Sequence, residues 1–203
     1  MKKIIIVGSL AIALGVILFA GCAKPPTEKV AALQDQISKL EGQGAQVFAT
    51  PQYEQVSAGM SDLNSLMDQK KNKAATAKAD SMDALVKALD EAVIAQAPQV
   101  AKQAADAAGA EIAKLKAQMK TPEAKKVIVK DEIKKMDEMA AGFDKDLAAV
   151  TADIGNSAFL NAYNNANTLK GKIAAAEQGI TQKIEEAKAK KGAKAPAKAA
   201  PKK

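Results

Sequence analysis

Between residues 129 and 154 the apolar positions Val129, Ile133, Met136, Ala140, Phe143, Leu147, Val150 and Ile154 succeed one another at steps of 4, 3, 4, 3, 4, 3 and 4. A repeat of about 3.5 residues lines all of them along one seam of an α-helix, a spacing that the two-residue period of a strand cannot satisfy. The same rhythm runs through the rest of the chain. It places Val30, Leu33, Ile37, Leu40, Gly44 and Val47 on one stripe, and Tyr53, Val56, Met60, Leu63 and Met67 on a second. A third stripe passes from Met82, Val86, Leu89 and Val93 to Val100, Ala104, Ala108, Ile112, Leu115 and Met119. The last holds Phe159, Tyr163, Ala166, Leu169, Ile173, Ile180 and Ile184.

Local signals divide these stripes into helices. Thr27 is a candidate cap for the first. Thr50-Pro51 and Thr121-Pro122 each combine an N-cap hydroxyl with proline at the first helical position, where its missing N–H costs nothing. Gly155-Asn156-Ser157 supplies a stop followed by a new cap. Pro98 lies inside the third stripe with no loop residues around it, which predicts a kink in one long helix. The expected fold is all-α: an elongated antiparallel bundle of about five helices with coiled-coil-like hairpins. Helices one and two pack on the first half of helix three, and helices four and five on its second half. The helical region is 27–190, with lobes 27–97 and 98–190 sharing the long helix, followed by a disordered tail at 191–203 made only of Lys, Ala, Pro and Gly.

Composition narrows the chemistry. Of 203 residues, 45 are Ala, the strongest helix former and one with almost no core volume. There is no His, no Arg and no Trp, and one Cys. That removes a histidine base, a His-containing triad, His-ligated zinc, an internal disulfide and bidentate Arg recognition of phosphate or bases. No catalytic residue and no metal site is expected, and the reading is that of a protein that is not an enzyme. The adjacent carboxylates Asp90-Glu91, Asp131-Glu132 and Asp137-Glu138 point about 100° apart on a helix and read as solvated faces.

The N-terminus reads as an address. Met1-Lys2-Lys3 is a short positive region, and residues 4–20 carry no charge and are mainly apolar. The run ends in Phe19-Ala20-Gly21-Cys22. Small residues directly before the only Cys, after such a leader, resemble the bacterial lipobox, with Phe19 standing where Leu is usual. The resemblance implies a signal peptide 1–21 cleaved before Cys22, a diacylglyceryl group on the Cys22 sulfur, and a lipidated tether 22–26. That covalent lipid is the sole group bound, with no other cofactor. Two or more acyl chains anchor a protein stably. Ala23, in place of Asp, implies the outer membrane in preference to the inner one, with the body on the periplasmic face of the envelope.

A second resemblance rests on Gly44-Ala45, Phe48-Ala49, Pro51, Ala58 and Leu63. Over roughly residues 28–95 the chain resembles uncharacterised bacterial lipoproteins whose mature part is an Ala-rich, TPR-like helical hairpin. This implies architecture and location, and no activity. The glycine–aromatic–Tyr–aliphatic series at Gly44, Phe48, Tyr53 and Leu63 also parallels Gly155, Phe159, Tyr163 and Ile173.

The formal charge of +7 is unevenly placed. Residues 22–187 hold 21 Lys against 23 acids, a charge of −2, whereas seven Lys and no acid are found from Lys188 onward. The Lys tail is suited to peptidoglycan or anionic lipid through long-range attraction. It resembles nucleic-acid-binding tails in composition, but an exported protein is not expected to meet nucleic acid. The amides Asn161, Asn164 and Asn165 beside Tyr163 form a candidate face for a sugar or peptide. The expected function is a lipid-anchored periplasmic protein with a structural or docking role and an envelope protein as partner. The alternatives are a binding module for a cell-wall fragment or small ligand, or an accessory subunit of an envelope complex.

Overall fold

A computed structural model describes residues 24–128 and 130–193. Among them are seven helices and no strand: α1 (Thr27–Gly42), α2 (Ala45–Phe48), α3 (Thr50–Asp68), α4 (Asn72–Met119), α5 (Pro122–Val127), α6 (Lys130–Gly155) and α7 (Phe159–Ala193). The protein is an all-α helical bundle. Two compact units divide it, Met1–Gln96 and Ala97–Lys203, and α4 supplies helical residues to both.

In the first unit α1, α3 and the first part of α4 form an up-down-up bundle. Tyr53 near the start of α3 meets Glu41 near the end of α1. Asp62 late in α3 meets Lys78 early in α4, at 3.1 Å. Lys29 at the start of α1 bridges Asp80 at 2.6 Å and Asp83 at 2.8 Å, so α1 and α4 run parallel. The apolar seams turn inward: Leu33, Phe48, Val56, Leu63, Met82 and Leu89 are essentially solvent-free. Gly59 of α3 is buried against Met82, a close approach that a side chain would block.

The second unit repeats the topology with the rest of α4, α6 and α7. Lys116 reaches Asp144 and Lys172 reaches Asp146, at 2.6 and 2.9 Å, so α6 runs against both neighbours. Lys114–Glu177 at 3.2 Å and Gln118–Thr181 at 3.0 Å place α7 parallel to α4. One end of the core gathers Ile112, Leu115, Phe143, Leu169, Ile173 and Ile180, closed by Ala124 and Ile128 around α5. The other end is thinner, built on Ala101, Ala105, Val150, Ala162 and Ala166.

Most positions of the predicted stripes are buried, whereas Ile37, Tyr53, Met60, Met67, Ile133, Met136, Leu147, Ile154, Phe159, Tyr163 and Ile184 are half-buried. Val47 is 37% exposed, and its neighbour Phe48 takes the core at 1%. Gly44, at φ 93°, breaks the helix and resets its phase. On α4, Ala97, Ala101 and Ala105 are buried, whereas Val100 and Ala104 are half-buried. The row takes four consecutive steps of four from Leu89 to Ala105, the drift a 3.6-residue helix makes away from a strict seven-residue repeat. α4 is continuous through Pro98. The expected fourth helix is instead two, α5 and α6, parted at Ile128, whose φ of −86° and ψ of 121° are extended. The stripe position Val129 lies outside the described residues. With the short α2 this makes seven helices where about five are expected. Helix α7 continues to Ala193, three residues into the segment expected as tail.

Of the predicted caps, only Thr121 accepts a bond from its helix, from the Ala124 N–H at 3.3 Å. Thr27 is already helical after Pro26, and Thr50 donates its hydroxyl back to the Gln46 carbonyl at 2.7 Å. Ser157 is not an N-cap but the left-handed residue that closes α6, at φ 61°. Its N–H bonds the Ile154 carbonyl and the Ala158 N–H bonds that of Asp153, a Schellman closure. Lys70 does the same after α3, at φ 56°. Non-glycine residues in this region lose roughly 1–2 kcal/mol, part of which glycine gives back in unfolded-chain entropy. Ser157→Gly is therefore expected to stabilise the fold by about 0.5–1 kcal/mol, seen as a higher urea midpoint in circular dichroism. A lower midpoint would mean that the Ser157 side chain contributes contacts of its own.

Candidate functional site

The lipobox-like residues Phe19, Ala20, Gly21 and Cys22 lie outside the described residues. The described chain begins at Lys24, and Pro25-Pro26 lead into α1 with the Thr27 N–H bonded to the Pro25 carbonyl at 2.9 Å. Within the first unit the chain therefore enters α1 beside the early turns of α4. Within the second, α7 runs on to Ala193 past the last turns of α4.

Of the candidate amide face, Asn161, Asn164 and Asn165 are exposed together, as residues three and four apart must be. Tyr163 is half-buried about 160° around the helix from Asn161, so the ring and the amides do not share one surface. Asn165 donates its amide to Asp153 Oδ2 at 3.0 Å and joins α7 to α6. None of the four lines a described groove. The parallel between Tyr53 and Tyr163 is local: each comes after a turn between antiparallel helices, the first between α1 and α3, the second between α6 and α7.

Charged side chains form ladders along the seams. The Lys29 ammonium donates to Asp80 and then Asp83, and these bonds hold it protonated above the usual lysine range. Lys114 is held up in the same way, first by Glu177 and then by Glu111. Lys183 contacts Glu132, and Lys134 lies 4.0 Å from Glu138. Such exposed pairs add little stability; those between helices fix which faces lie opposite, whereas Lys134–Glu138 is a pair within α6. Glu177 keeps Oε1 buried without a partner while Lys114 lies 3.2 Å from its other oxygen. Among the described residues no three carboxylates or thiols gather as metal ligands, and no helix is long and apolar enough to cross a membrane.

Among the described residues, three open grooves are notable along the seams. Leu40 and Val86 floor one between α1 and α4, ringed by Lys39, Lys87, Asp83 and Asp90, with a volume of about 440 Å³. Met136, Met139, Ala176 and Ile180 line another between α6 and α7 of about 390 Å³. The third, between α1 and α3, ends at Tyr53, whose hydroxyl donates to Glu41 Oε1 at 2.6 Å and accepts from Gln46 Nε2 at 3.1 Å. The bond to Glu41, helped by burial, raises the Tyr53 phenol above its ordinary range and keeps it protonated. The sequence marked Tyr53 as a stripe residue and as a member of the internal parallel with Tyr163. Its partner became visible once the turn at Gly44 folded α3 back along α1.

Comparison with protein-family models, with curated proteins and with solved structures returned no match.

Proposed function

We propose that this protein is a bacterial lipoprotein, cleaved before Cys22, anchored in the envelope membrane through lipid on that sulfur, and serving as a periplasmic docking or structural element. The order of features from Met1 to Cys22 carries the reading: two lysines, an uncharged apolar run, two small residues, then the only Cys of the chain. The remainder of the chain suits a tethered body. A short Pro-Pro tether precedes a bundle whose helices show alternating Lys and acidic residues outward, and the positive charge is concentrated beyond Lys188. That C-terminal segment would meet the anionic groups of lipid headgroups or cell wall, an attraction that salt screens over about 10 Å at 0.1 M. Docking of an envelope protein partner, without turnover, is the role of the helical body, and the outer membrane is the expected address.

Replacing the sulfur tests this. In a bacterial host fed a clickable palmitate analogue, the full-length chain is expected to take up label and sediment with membranes. Cys22→Ser should lose the label and appear in the soluble fraction. A Cys22→Ser chain that still carries label, or an unaltered chain that never does, would rule out the lipoprotein reading.

A further inference from the structure

The groove between α1 and α3 differs chemically from the other two. No lysine lines it, and its rim is made of the amides of Gln34 and Asn64 and the hydroxyls of Ser38 and Ser57, over a floor of Ile37 and Met60, with Tyr53 and the Glu41 carboxylate at one end. Serines within helices commonly turn their hydroxyls to a carbonyl of the preceding turn. Thr50, Thr76, Ser81, Thr151 and Thr181 do so here. Ser38 and Ser57 do not. Among the described residues neither they nor Gln34 and Asn64 has a hydrogen-bond partner in the protein. Two helices thus present four uncommitted polar side chains to one space, on either side of an apolar floor. At the Tyr53 end the hydroxyl is already held by Glu41 and Gln46, which fixes the ring without using the rim groups.

We infer that this groove binds one ring of a neutral glycan, the rim amides and hydroxyls bonding its hydroxyl and acetamido groups while Ile37, Met60 and the Tyr53 ring meet its apolar face. Glu41 at the end of the groove, with no cation beside it, disfavours an anionic ligand and offers an acceptor to a sugar hydroxyl. Its volume of about 230 Å³ lies below the roughly 300–1,000 Å³ of sites that enclose a whole small molecule. The groove therefore takes a single unit of a longer, open-ended chain, and each contact is weak, with a millimolar dissociation constant. The inference does not depend on lipidation.

Methionine-methyl NMR tests it, because Met60 floors the groove while Met119, Met136 and Met139 lie in the second unit. The full-length chain, labelled at its methionine methyls and held in detergent, is titrated with N-acetylglucosamine and with its β-1,4-linked trimer. Met60, assigned through Met60→Leu, is expected to shift saturably with both, and Met119, Met136 and Met139 to stay in place. Ser57→Ala and Asn64→Leu alter exposed positions, so melting temperature should hold while affinity falls about tenfold for each lost hydrogen bond. Cys22→Ser should bind as the parent does, which separates this outcome from that of the anchor. No Met60 shift with either sugar at tens of millimolar, equal shifts at Met136 and Met139, or unchanged binding by both rim variants would each overturn the inference.

Discussion

Ile173→Ala should be among the most damaging single substitutions in the second unit, lowering stability by about 2–5 kcal/mol. Ile173 has no solvent exposure and lies among Leu115, Phe143, Leu169 and Ile180. Removing its three terminal carbons forfeits both their transfer out of water and the contacts of the cavity wall, which helices tied by turns and ion pairs cannot wholly refill. The loss is felt more because so much of the neighbouring seam is Ala. At Ala101, Ala105, Ala162 and Ala166 the helices meet over small side chains, so few large residues carry the apolar burial. Against a domain stability of roughly 5–15 kcal/mol, one such change takes a substantial share. Leu63→Ala, equally buried, should do the same in the first unit. Val100→Ala provides the comparison: spacing alone puts Val100 on the seam, but it is half-buried, and its loss should cost about 1 kcal/mol or less. Urea titrations tracked by circular dichroism read all three. Equal losses at Val100 and Ile173 would mean that the α4 seam is phased as spacing alone suggests.

Gly59→Ala should destabilise the protein by about 1–3 kcal/mol, although alanine is the better helix former by about 0.8–1.0 kcal/mol. A Cβ built on Gly59 would stand 2.4 Å from the Met82 sulfur and 3.1 Å from its methyl carbon. A methionine end is flexible, but Met82 is completely buried, so its sulfur has no open direction in which to retreat. The glycine lets α3 approach α4. A methyl group added at Gly142 or Gly171 would meet nothing within 4 Å, and alanine at either should instead raise stability by about 0.8–1.0 kcal/mol. Coupling supplies the sharper check: in a Met82→Ala background Gly59→Ala should cost much less. If Gly59→Ala stabilises as Gly142→Ala does, the close contact is not a constraint on the fold.

Much of the fold is legible in the sequence. The stepping at Leu33, Leu40, Val56, Leu63, Met82, Leu89, Phe143 and Val150 marked the buried side of each helix, because only a helix brings residues three and four apart to one face. Thr121-Pro122 marked a true helix start, and α4 passes through Pro98 unbroken. The candidate amide face was legible as composition but not as geometry. Asn161 and Asn165 share a side of α7, and Tyr163 is turned away from them. The groove between α1 and α3 was not legible at all, since Ser38 and Ser57 are unremarkable residues until α3 lies antiparallel to α1.

By itself the sequence determined that the chain is helical, where its apolar seams run and which helices are joined by turns too short for anything but antiparallel packing. Those properties are local: side-chain spacing, alanine content and the φ preferences of Pro and Gly act over one or two turns. Only the tertiary structure decided that Phe48 and not Val47 enters the core, that Ala97, Ala101 and Ala105 take the seam after Val93, and that Ser157 closes α6 where spacing predicts that it opens α7. Each depends on what lies opposite. A single left-handed residue resets the phase of the next helix, and burial then goes to whichever side chain faces the neighbouring helix, a fact that no stretch of local sequence contains.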